Sequence, residues 1–302
     1  MKSFVKHSIA FLGFSSLIYL ILIFVWGSVM PIWLNSNLIY KQRGGHLHSR
    51  LAELNKHQNV DVLFLGSSHA YRGFDTRIFK ESGIHSLNLG SSSQAPVQSL
   101  LLLKKHIDNL QPKKIIFEVC PQSLSSDGIE SALDIISNGK IDFQSIKMAI
   151  DLNHIKVYNT LIYSGIRQLL NLDQDFVEEQ HIGKDTYISG GYVQRDDVQF
   201  EYKSPLEKNI NPEQMVAFKE LVSWVKSKDI ELILVQAPVT TTEYNSYADN
   251  AGFDKLMQDY SSYYNFNTLT ILDDSLHFYD PHHLNQLGVE TFNAELIDLL
   301  ID

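Results

Sequence analysis

Apolar positions divide the chain into an N-terminal segment that is apolar throughout and a longer part in which short apolar runs alternate with amphipathic stretches. No Asp, Glu, Lys or Arg lies between Lys6 and Lys41, and residues 9–29 are rich in Ile, Leu, Phe and Val. About 20 apolar residues are enough to span a hydrocarbon core. The pattern therefore predicts a membrane anchor in residues 1–34.

A cleaved signal peptide is the competing interpretation, because Lys2 and Lys6 form a basic region ahead of the apolar segment. The apolar segment is long for a signal peptide, and residues 27–31 make a poor cleavage site, so an anchor is favoured. The two lysines also favour a cytoplasmic N-terminus. We expect a single-pass protein of the inner (cytoplasmic) membrane whose domain is extracytoplasmic.

After the anchor, residues 35–59 have the polar character of a stalk that becomes helical near residues 51–54. Beyond Val60, apolar strands alternate with helical stretches, which is typical of a parallel sheet covered on both faces. The sequence predicts one α/β domain over residues 60–302. Its predicted strands are 60–65, 86–89, 114–119, 230–236 and 268–272, and its predicted helices are 75–82, 97–110, 212–228, 254–264 and 286–300.

Residues 124–211 interrupt this alternation and are predicted to be an insertion between the third and fourth strands. Apolar residues at helical spacing occupy residues 141–170, and residues 186–194 are typical of a hairpin around Gly190 and Gly191. The insertion either shapes the acceptor side of a binding pocket or is a structural lobe without a role in binding.

Composition limits the classes of partner. The formal net charge is −10 over 302 residues, which argues against nucleic acid, because phosphate backbones require a basic surface. Cys120 is the single cysteine, so no intramolecular disulfide can form. Its position at the end of an apolar strand favours a core residue over a nucleophile.

Two short segments, more than two hundred residues apart, carry the candidate chemistry. Gly66-Ser67-Ser68-His69 follows the first strand, and Asp280-Pro281-His282-His283-Leu284-Asn285 lies near the C-terminus. A serine hydroxyl needs an imidazole to accept its proton and a carboxylate to orient that imidazole. Ser68, His283 and Asp280 are the candidates for these three roles.

These residues carry a resemblance to the SGNH (GDSL-like) hydrolases, whose last motif is Asp-x-x-His, often followed by Leu-Asn. The first motif of that family is Gly-Asp-Ser, and Ser67 replaces its aspartate here. The Gly-Ser-Ser variant resembles the membrane-anchored branch, which includes the D-alanyl transfer protein of teichoic acids and the alginate O-acetylation proteins. The resemblance implies a three-layer α/β/α domain with a five-stranded parallel sheet.

The resemblance also implies an oxyanion hole made by the N–H groups of Ser68 and Gly90 and by a third donor. The family pattern after the third strand is Gly-x-Asn, whereas this chain has Cys120-Pro121-Gln122. Gln122 takes the position of the Asn by counting and offers an amide on a longer stem. Loss of one oxyanion donor costs about 100 to 1000-fold in turnover.

Three neighbouring residues are candidates for substrate contact. His69 follows the proposed nucleophile and either contacts substrate or packs locally. Arg72 either binds an anionic group or forms a structural salt bridge, and His282 is expected at the rim. A metal site formed by Asp280, His282 and His283, with His46 and His48 as further ligands, is the weaker interpretation. We expect neither a metal nor a cofactor.

The resemblance implies a serine-dependent acyl transfer or ester hydrolysis on a cell-envelope glycan, through a covalent acyl-enzyme. Water as acceptor would make the protein an esterase, and a sugar hydroxyl would make it an O-acyltransferase. The implied partners are an envelope polysaccharide or another O-acylated glycan, and a multi-pass membrane acyltransferase as acyl donor. The alternative is a catalytically degenerate domain that binds glycan or acts as a scaffold.

Overall fold

The computed structural model describes residues 1–31, 33–35, 37–41, 45–172, 174–195, 197 and 209–301. The strands are β1 Val62–Leu65, β2 Ser86–Asn88, β3 Lys114–Glu118, β4 His181–Ile182, β5 Asp185–Ile188, β6 Tyr192–Gln194, β7 Glu231–Gln236 and β8 Ser262–Asn265. The helices are α1 Lys2–Val29, α2 Leu47–Leu54, α3 Ser68–Gly73, α4 Thr76–Glu81, α5 Pro96–Leu110, α6 Pro121–Ser125, α7 Ile129–Asn138, α8 Phe143–Leu152, α9 Ile155–Leu169, α10 Pro212–Ser227, α11 Thr241–Asn245, α12 Asn250–Gln258, α13 Phe266–Leu269 and α14 Gln286–Ile301.

The main sheet has five parallel strands in the order β2-β1-β3-β7-β8. Successive residues of a strand point to opposite faces, and both faces are covered. Leu63 and Leu65 belong to one hydrophobic core with α5 and α10, whereas Val62 and Phe64 belong to a second core with α14. The predicted three-layer α/β architecture with a five-stranded parallel sheet is confirmed.

The fifth strand lies earlier in the chain than the sequence predicts. Residues 262–265 form β8, and the predicted strand 268–272 is wrong. Asn265 ends β8, and its side chain accepts a hydrogen bond from Asn267 N, which caps the short helix α13. Burial of Phe266 holds α13 against the domain. The preceding helix accordingly ends at Gln258 and not at residue 264.

The insertion between β3 and β7 contains mainly helices. The predicted helical stretch 141–170 is two helices, α8 and α9, because Asn153 adopts a left-handed conformation with φ 43° between them. The predicted hairpin is confirmed: β5 and β6 pair antiparallel around Gly190 and Gly191, whose φ angles are +92° and +101°. Residues 196 and 198–208 of the insertion lie outside the described residues.

The second half of the segment interpreted as a stalk is packed on the domain. His46, which directly precedes α2, and Arg50, within α2, are both buried. Arg50 donates hydrogen bonds to the carbonyl oxygens of Gly45 (2.8 Å), Gly90 (2.8 Å) and Gly191 (2.9 Å). A buried guanidinium needs such acceptors, so α2 is tied both to the loop after β2 and to the hairpin.

Helix α1 is the one helix within the described part of the chain that is long and apolar enough to cross a membrane. Of its residues, Ile23 is buried. The C-terminal half of α1 contacts α9, where Tyr163 donates a hydrogen bond to the carbonyl oxygen of Gly27 (3.0 Å). The anchor helix is therefore in contact with the insertion.

Replacing Phe292 by Ala should destabilise the domain strongly. The Phe292 ring is fully buried on α14 between Phe74 and Phe266, and truncation of a buried Phe typically costs about 3–5 kcal/mol. Urea unfolding of the full chain in detergent should show this loss. Leu299→Ala, on an exposed position of the same helix, is the matched control and should change the free energy of unfolding by less than about 1 kcal/mol. Equal effects of the two substitutions would contradict the packing described.

Candidate active site

The turn after β1 presents Ser68 at the carboxyl edge of the sheet. Gly66 has φ +140°, and a Cβ built on it would lie 2.7 Å from the Cβ of Glu118. This conformation and this close approach both require glycine. Ser67 then caps α3, because its Oγ accepts a hydrogen bond from His69 N. Ser68 is the first residue of α3 and is half-buried.

The C-terminal segment places a carboxylate and an imidazole in line with Ser68. Asp280 accepts hydrogen bonds from the backbone N–H groups of His282 (2.8 Å) and His283 (2.9 Å), which close a tight turn. His283 Nδ1 lies 3.0 and 2.9 Å from the two Asp280 oxygens. His283 Nε2 lies 2.8 Å from Ser68 Oγ. The structure thus brings together the three residues predicted from sequence, in the geometry of a nucleophile, base and orienting acid.

The electrostatics of the pair favour a neutral His283. Burial lowers the pKa of His283 to about 4, although the hydrogen bond and charge of Asp280 act in the opposite direction. Burial also opposes ionisation of Asp280, but the hydrogen bond and charge of His283 outweigh it and hold the Asp280 pKa below its usual value. At neutral pH, His283 is therefore ready to accept a proton and Asp280 is a carboxylate.

A buried carboxylate that the sequence interpretation missed holds the turn that carries Ser68. Glu118, at the end of β3, accepts hydrogen bonds from Ser67 N (3.3 Å) and Ser67 Oγ (3.0 Å), and its other oxygen lies 3.2 Å from His69 Nδ1. The sequence does contain a signal for this role. Glu118 is an acidic residue at the end of a largely apolar strand, and a buried acid needs hydrogen-bond partners.

The surroundings of His69 favour the protonated form of its imidazole. Burial alone would lower its pKa, but the charge of Glu118 and hydrogen bonds with Cys120 and Glu118 outweigh burial and raise the pKa of His69 well above its usual value. The ring centroids of His69 and His283 are 5.3 Å apart. The charge of His69 therefore contributes to the low pKa of His283.

His69, Glu118 and Cys120 also offer ligand atoms within 4.8 Å of one another. Such a set of donors suits a zinc ion. However, Glu118 already accepts hydrogen bonds from Ser67 and pairs with His69, so hydrogen bonding explains why these side chains converge. His46 lies beside Glu178, at 3.9 Å, and does not meet the Asp280 segment.

The other two predicted oxyanion donors have partners elsewhere. Gly90 N donates to Asn88 Oδ1 at 2.9 Å. Gln122 Nε2 lies 2.8 Å from Glu243 Oε1 and 2.7 Å from the hydroxyl of Tyr247. Ser68 N lies at the start of a helix, where N–H groups have no helical acceptor. The assignment of Gly90 and Gln122 to an oxyanion hole stays a prediction.

Of the two remaining candidates for substrate contact, Arg72 forms a structural salt bridge and His282 lies at the rim of the site. Arg72 forms a bidentate pair with Asp185 of the hairpin, at 2.9 and 2.7 Å, which corresponds to the salt-bridge interpretation. His282 is 40% exposed in its side chain and faces Glu243 at 3.7 Å. Burial, and then the charge of His69, lower the pKa of His282. His282 is therefore a neutral rim residue at physiological pH.

A cavity of about 440 Å³ opens over the serine. Its lining includes Ser68, His282 and His283 together with a segment, called the polar wall below, that runs from just before the insertion into its beginning. Hydroxyl and carboxylate groups dominate the polar wall, which comprises Gln122, Ser123, Ser125, Ser126, Asp127 and Glu130. The described lining residues include no Lys or Arg. This wall can exchange hydrogen bonds with a hydroxyl-rich ligand.

Comparison with known proteins gives distant likenesses. No family model and no curated protein sequence matches the chain. Among solved structures, a candidate acylhydrolase from Bacteroides fragilis is similar, with 12% identity and a TM-score of 0.43 over 86% of this chain and 97% of that one. A GDSL-like lipase from Bacteroides thetaiotaomicron has 12% identity and a TM-score of 0.40, over 83% and 96% of the two chains. A protein from Streptococcus pneumonia described as a candidate platelet activating factor has 14% identity and 0.40, over 84% and 91%. These likenesses are too distant to carry an argument about function.

Replacing His69 by Gln should move the pH profile of ester hydrolysis. A base acts only when it is neutral, so the wild-type kcat/KM should persist below pH 6.5 and be lost as the pH falls through about 4. His69→Gln removes a positive charge that lowers the pKa of His283, so the acid limb should shift to higher pH. The measurement is kcat/KM for a small acetyl ester from pH 3 to pH 8.

The control for this prediction is His57→Gln. His57 is on the surface, paired with His85 at 3.2 Å, and its replacement should leave the profile unchanged. An acid limb that stays in place in His69→Gln would contradict the electrostatic coupling of His69 to His283.

Proposed function

We propose that this chain is a serine-dependent acyl-handling enzyme that works through Ser68, His283 and Asp280. The observation that carries the proposal is the continuous hydrogen-bonded row from Ser68 Oγ through His283 to Asp280, with contacts of 2.8 and 2.9 Å. The row lies at the carboxyl edge of a parallel sheet, where open α/β sheets bind ligands, and it borders a cavity.

The mechanism follows from the order of the hydrogen-bonded groups Ser68, His283 and Asp280. The Oγ of Ser68 attacks an ester carbonyl while His283 Nε2 takes the Ser68 proton, and the N–H of Ser68 donates a hydrogen bond to the oxyanion. His283 then gives that proton to the departing alcohol, which leaves an acyl group on Ser68. In the second half, His283 deprotonates the acceptor hydroxyl, the acyl group passes to it, and the proton returns to Ser68. Asp280 keeps Nδ1 protonated throughout.

The acceptor that we propose is a sugar hydroxyl of a cell-envelope glycan, which makes the protein an O-acyltransferase. Two features support this. The cavity wall of serines and carboxylates suits a hydroxyl-rich ligand, and α1 can hold the domain at a membrane. In this proposal the anchor stays in the inner membrane, the domain is extracytoplasmic, and a multi-pass membrane protein supplies the acyl group.

The position of α7 supports delivery from the membrane. Its N-terminal end, with Glu130, borders the cavity. Near its other end, the carbonyl oxygen of Ser137 accepts a hydrogen bond from Lys41 N, in the segment that follows the anchor. Ten helical residues span about 15 Å, so a short distance separates the anchor-proximal segment from the cavity.

A second function, glycan binding or scaffolding without turnover, has one specific observation in its favour. Gly90 N and Gln122 Nε2 both have intramolecular partners. A site with a single oxyanion donor would lose orders of magnitude in rate.

A fluorophosphonate probe separates the two functions. The full chain in detergent should be labelled covalently, and Ser68→Ala should abolish labelling because it removes the attacking oxygen. Ser93→Ala is the matched control: this serine also lines the cavity, its hydroxyl donates to Glu130, and its loss should leave labelling intact. Failure of the folded wild-type chain to react would favour the binding function.

Complementation in cells identifies the direction of transfer. A gene deletion should lower the alkali-labile acyl content of envelope glycan, and the wild-type gene should restore it whereas Ser68→Ala should not. A rise in acyl content on deletion would instead indicate an esterase. Full restoration by Ser68→Ala would show that the chain acts without turnover and would overturn the enzyme proposal.

A further inference from the structure

Helix α8 carries an apolar stripe that no other part of the described chain covers. Phe143, Ile146 and Ile150 are 79%, 41% and 60% exposed, and their spacing of three and four residues places them on one face. The opposite face is buried through Met148 and Ala149. Because the buried side already holds α8 in the domain, the exposed stripe needs another explanation.

The partner of α8 in the insertion, α9, lies against the anchor helix. The hydroxyl of Tyr19 donates to Asn159 Oδ1 at 2.6 Å, and the hydroxyl of Tyr163 donates to the Gly27 carbonyl at 3.0 Å. The Phe24 and Tyr163 rings are 6.3 Å apart. Residue numbers rise together in the two helices, so α9 runs in the same direction as α1. The turn between α8 and α9 therefore lies towards the middle of α1.

The contact between Tyr19 and Asn159 shows how far along the anchor helix α9 reaches. Tyr19 precedes the last residue of α1, Val29, by ten residues, which is about 15 Å of helix. If α1 crosses a membrane whose hydrocarbon core is about 30 Å thick, Asn159 lies near the middle of the span, and the rest of α9 runs beside its outer half. The α8–α9 hairpin then cannot stand clear of the lipid. Ile155, the first residue of α9, is 59% exposed and extends the apolar surface across the turn.

We propose that the α8–α9 hairpin inserts its apolar stripe into the outer leaflet of the membrane that α1 crosses. The occupant of the stripe is lipid, because α8 packs on α9, and α9 in turn lies against the anchor helix. Lys147 and Asp151 lie together along one side of the stripe and neutralise each other as an exposed ion pair.

Insertion of the α8–α9 hairpin would fix the orientation of the domain relative to the membrane. A single spanning helix lets the helix and its domain tilt together in the membrane, whereas a second attachment beside it restricts that tilt. The insertion contributes both this hairpin and the part of the cavity lining at residues 125–130. One segment would thus hold the cavity at a fixed height above the lipid, where a membrane-borne acyl donor can reach it. This inference rests on the anchor role proposed for α1.

Lipid contact can be measured with a fluorophore at single cysteines. In a Cys120→Ala background, Phe143→Cys and Ile150→Cys are labelled with an environment-sensitive dye, and the full chain is reconstituted in phosphatidylcholine–phosphatidylglycerol vesicles. Ile271→Cys, 94% exposed in the loop after α13, is the matched control. Lipids with nitroxide-labelled chains should quench positions 143 and 150 severalfold more than position 271, and emission at 143 and 150 should shift to the blue.

The possible outcomes test the hairpin proposal separately from the proposal that α1 is a membrane anchor. An alkaline wash first tests whether the chain stays in the vesicles. Loss of the chain would overturn the anchor and the hairpin proposal together. Retention with equal quenching at 143, 150 and 271 would overturn the hairpin proposal alone. Each labelled variant should melt as the unlabelled background does, and the two independent positions guard against a local effect of either cysteine.

Discussion

A buried carboxylate requires hydrogen-bond donors, and Glu118 takes its donors from the turn that carries Ser68. It is fully buried at the end of the central strand β3, and its partners are Ser67 and His69. The close approach of Glu118 to the turn requires glycine at residue 66. The position of the serine, the charge of His69 and the shape of the turn thus depend on one side chain of the neighbouring strand.

This arrangement gives a physical reason for Ser67. A carboxylate at residue 67 would face Glu118, whose oxygen lies 3.0 Å from Ser67 Oγ, and two like charges in a buried site repel strongly. A hydroxyl donates to Glu118 and still caps α3 through the same oxygen. The serine at residue 67 and the acid at residue 118 therefore depend on each other. In this chain a carboxylate from β3, the neighbour of β1 in the sheet, holds the turn.

Local patterns predicted much of the fold, because strands β1, β3 and β7 contain apolar runs bounded by turn residues, and the shorter β2 precedes a turn at Gly90. They also predicted that Ser68, Asp280 and His283 meet, because these residues lie in motifs at the same edge of a sheet. Local patterns failed in two ways. Side chains that bond to the backbone two residues away were overlooked: Asn265 caps α13 directly after β8, and Asn88 accepts a hydrogen bond from the N–H of Gly90. Contacts between distant segments decided the position of Arg50, which is buried against the carbonyl oxygens of Gly90 and Gly191.

The protonation state of His283 results from burial and from opposing neighbours. Burial and the charges of His69 and Arg72 destabilise the protonated ring, whereas Asp280 stabilises it. With Asp280 alone, the imidazole would hold its proton more tightly and accept one from serine less readily at a given pH. The Glu118–His69 pair is fixed by the same turn that positions Ser68, so the cation stays close to the base. The structure therefore couples the placement of the nucleophile to the proton affinity of the group that activates it.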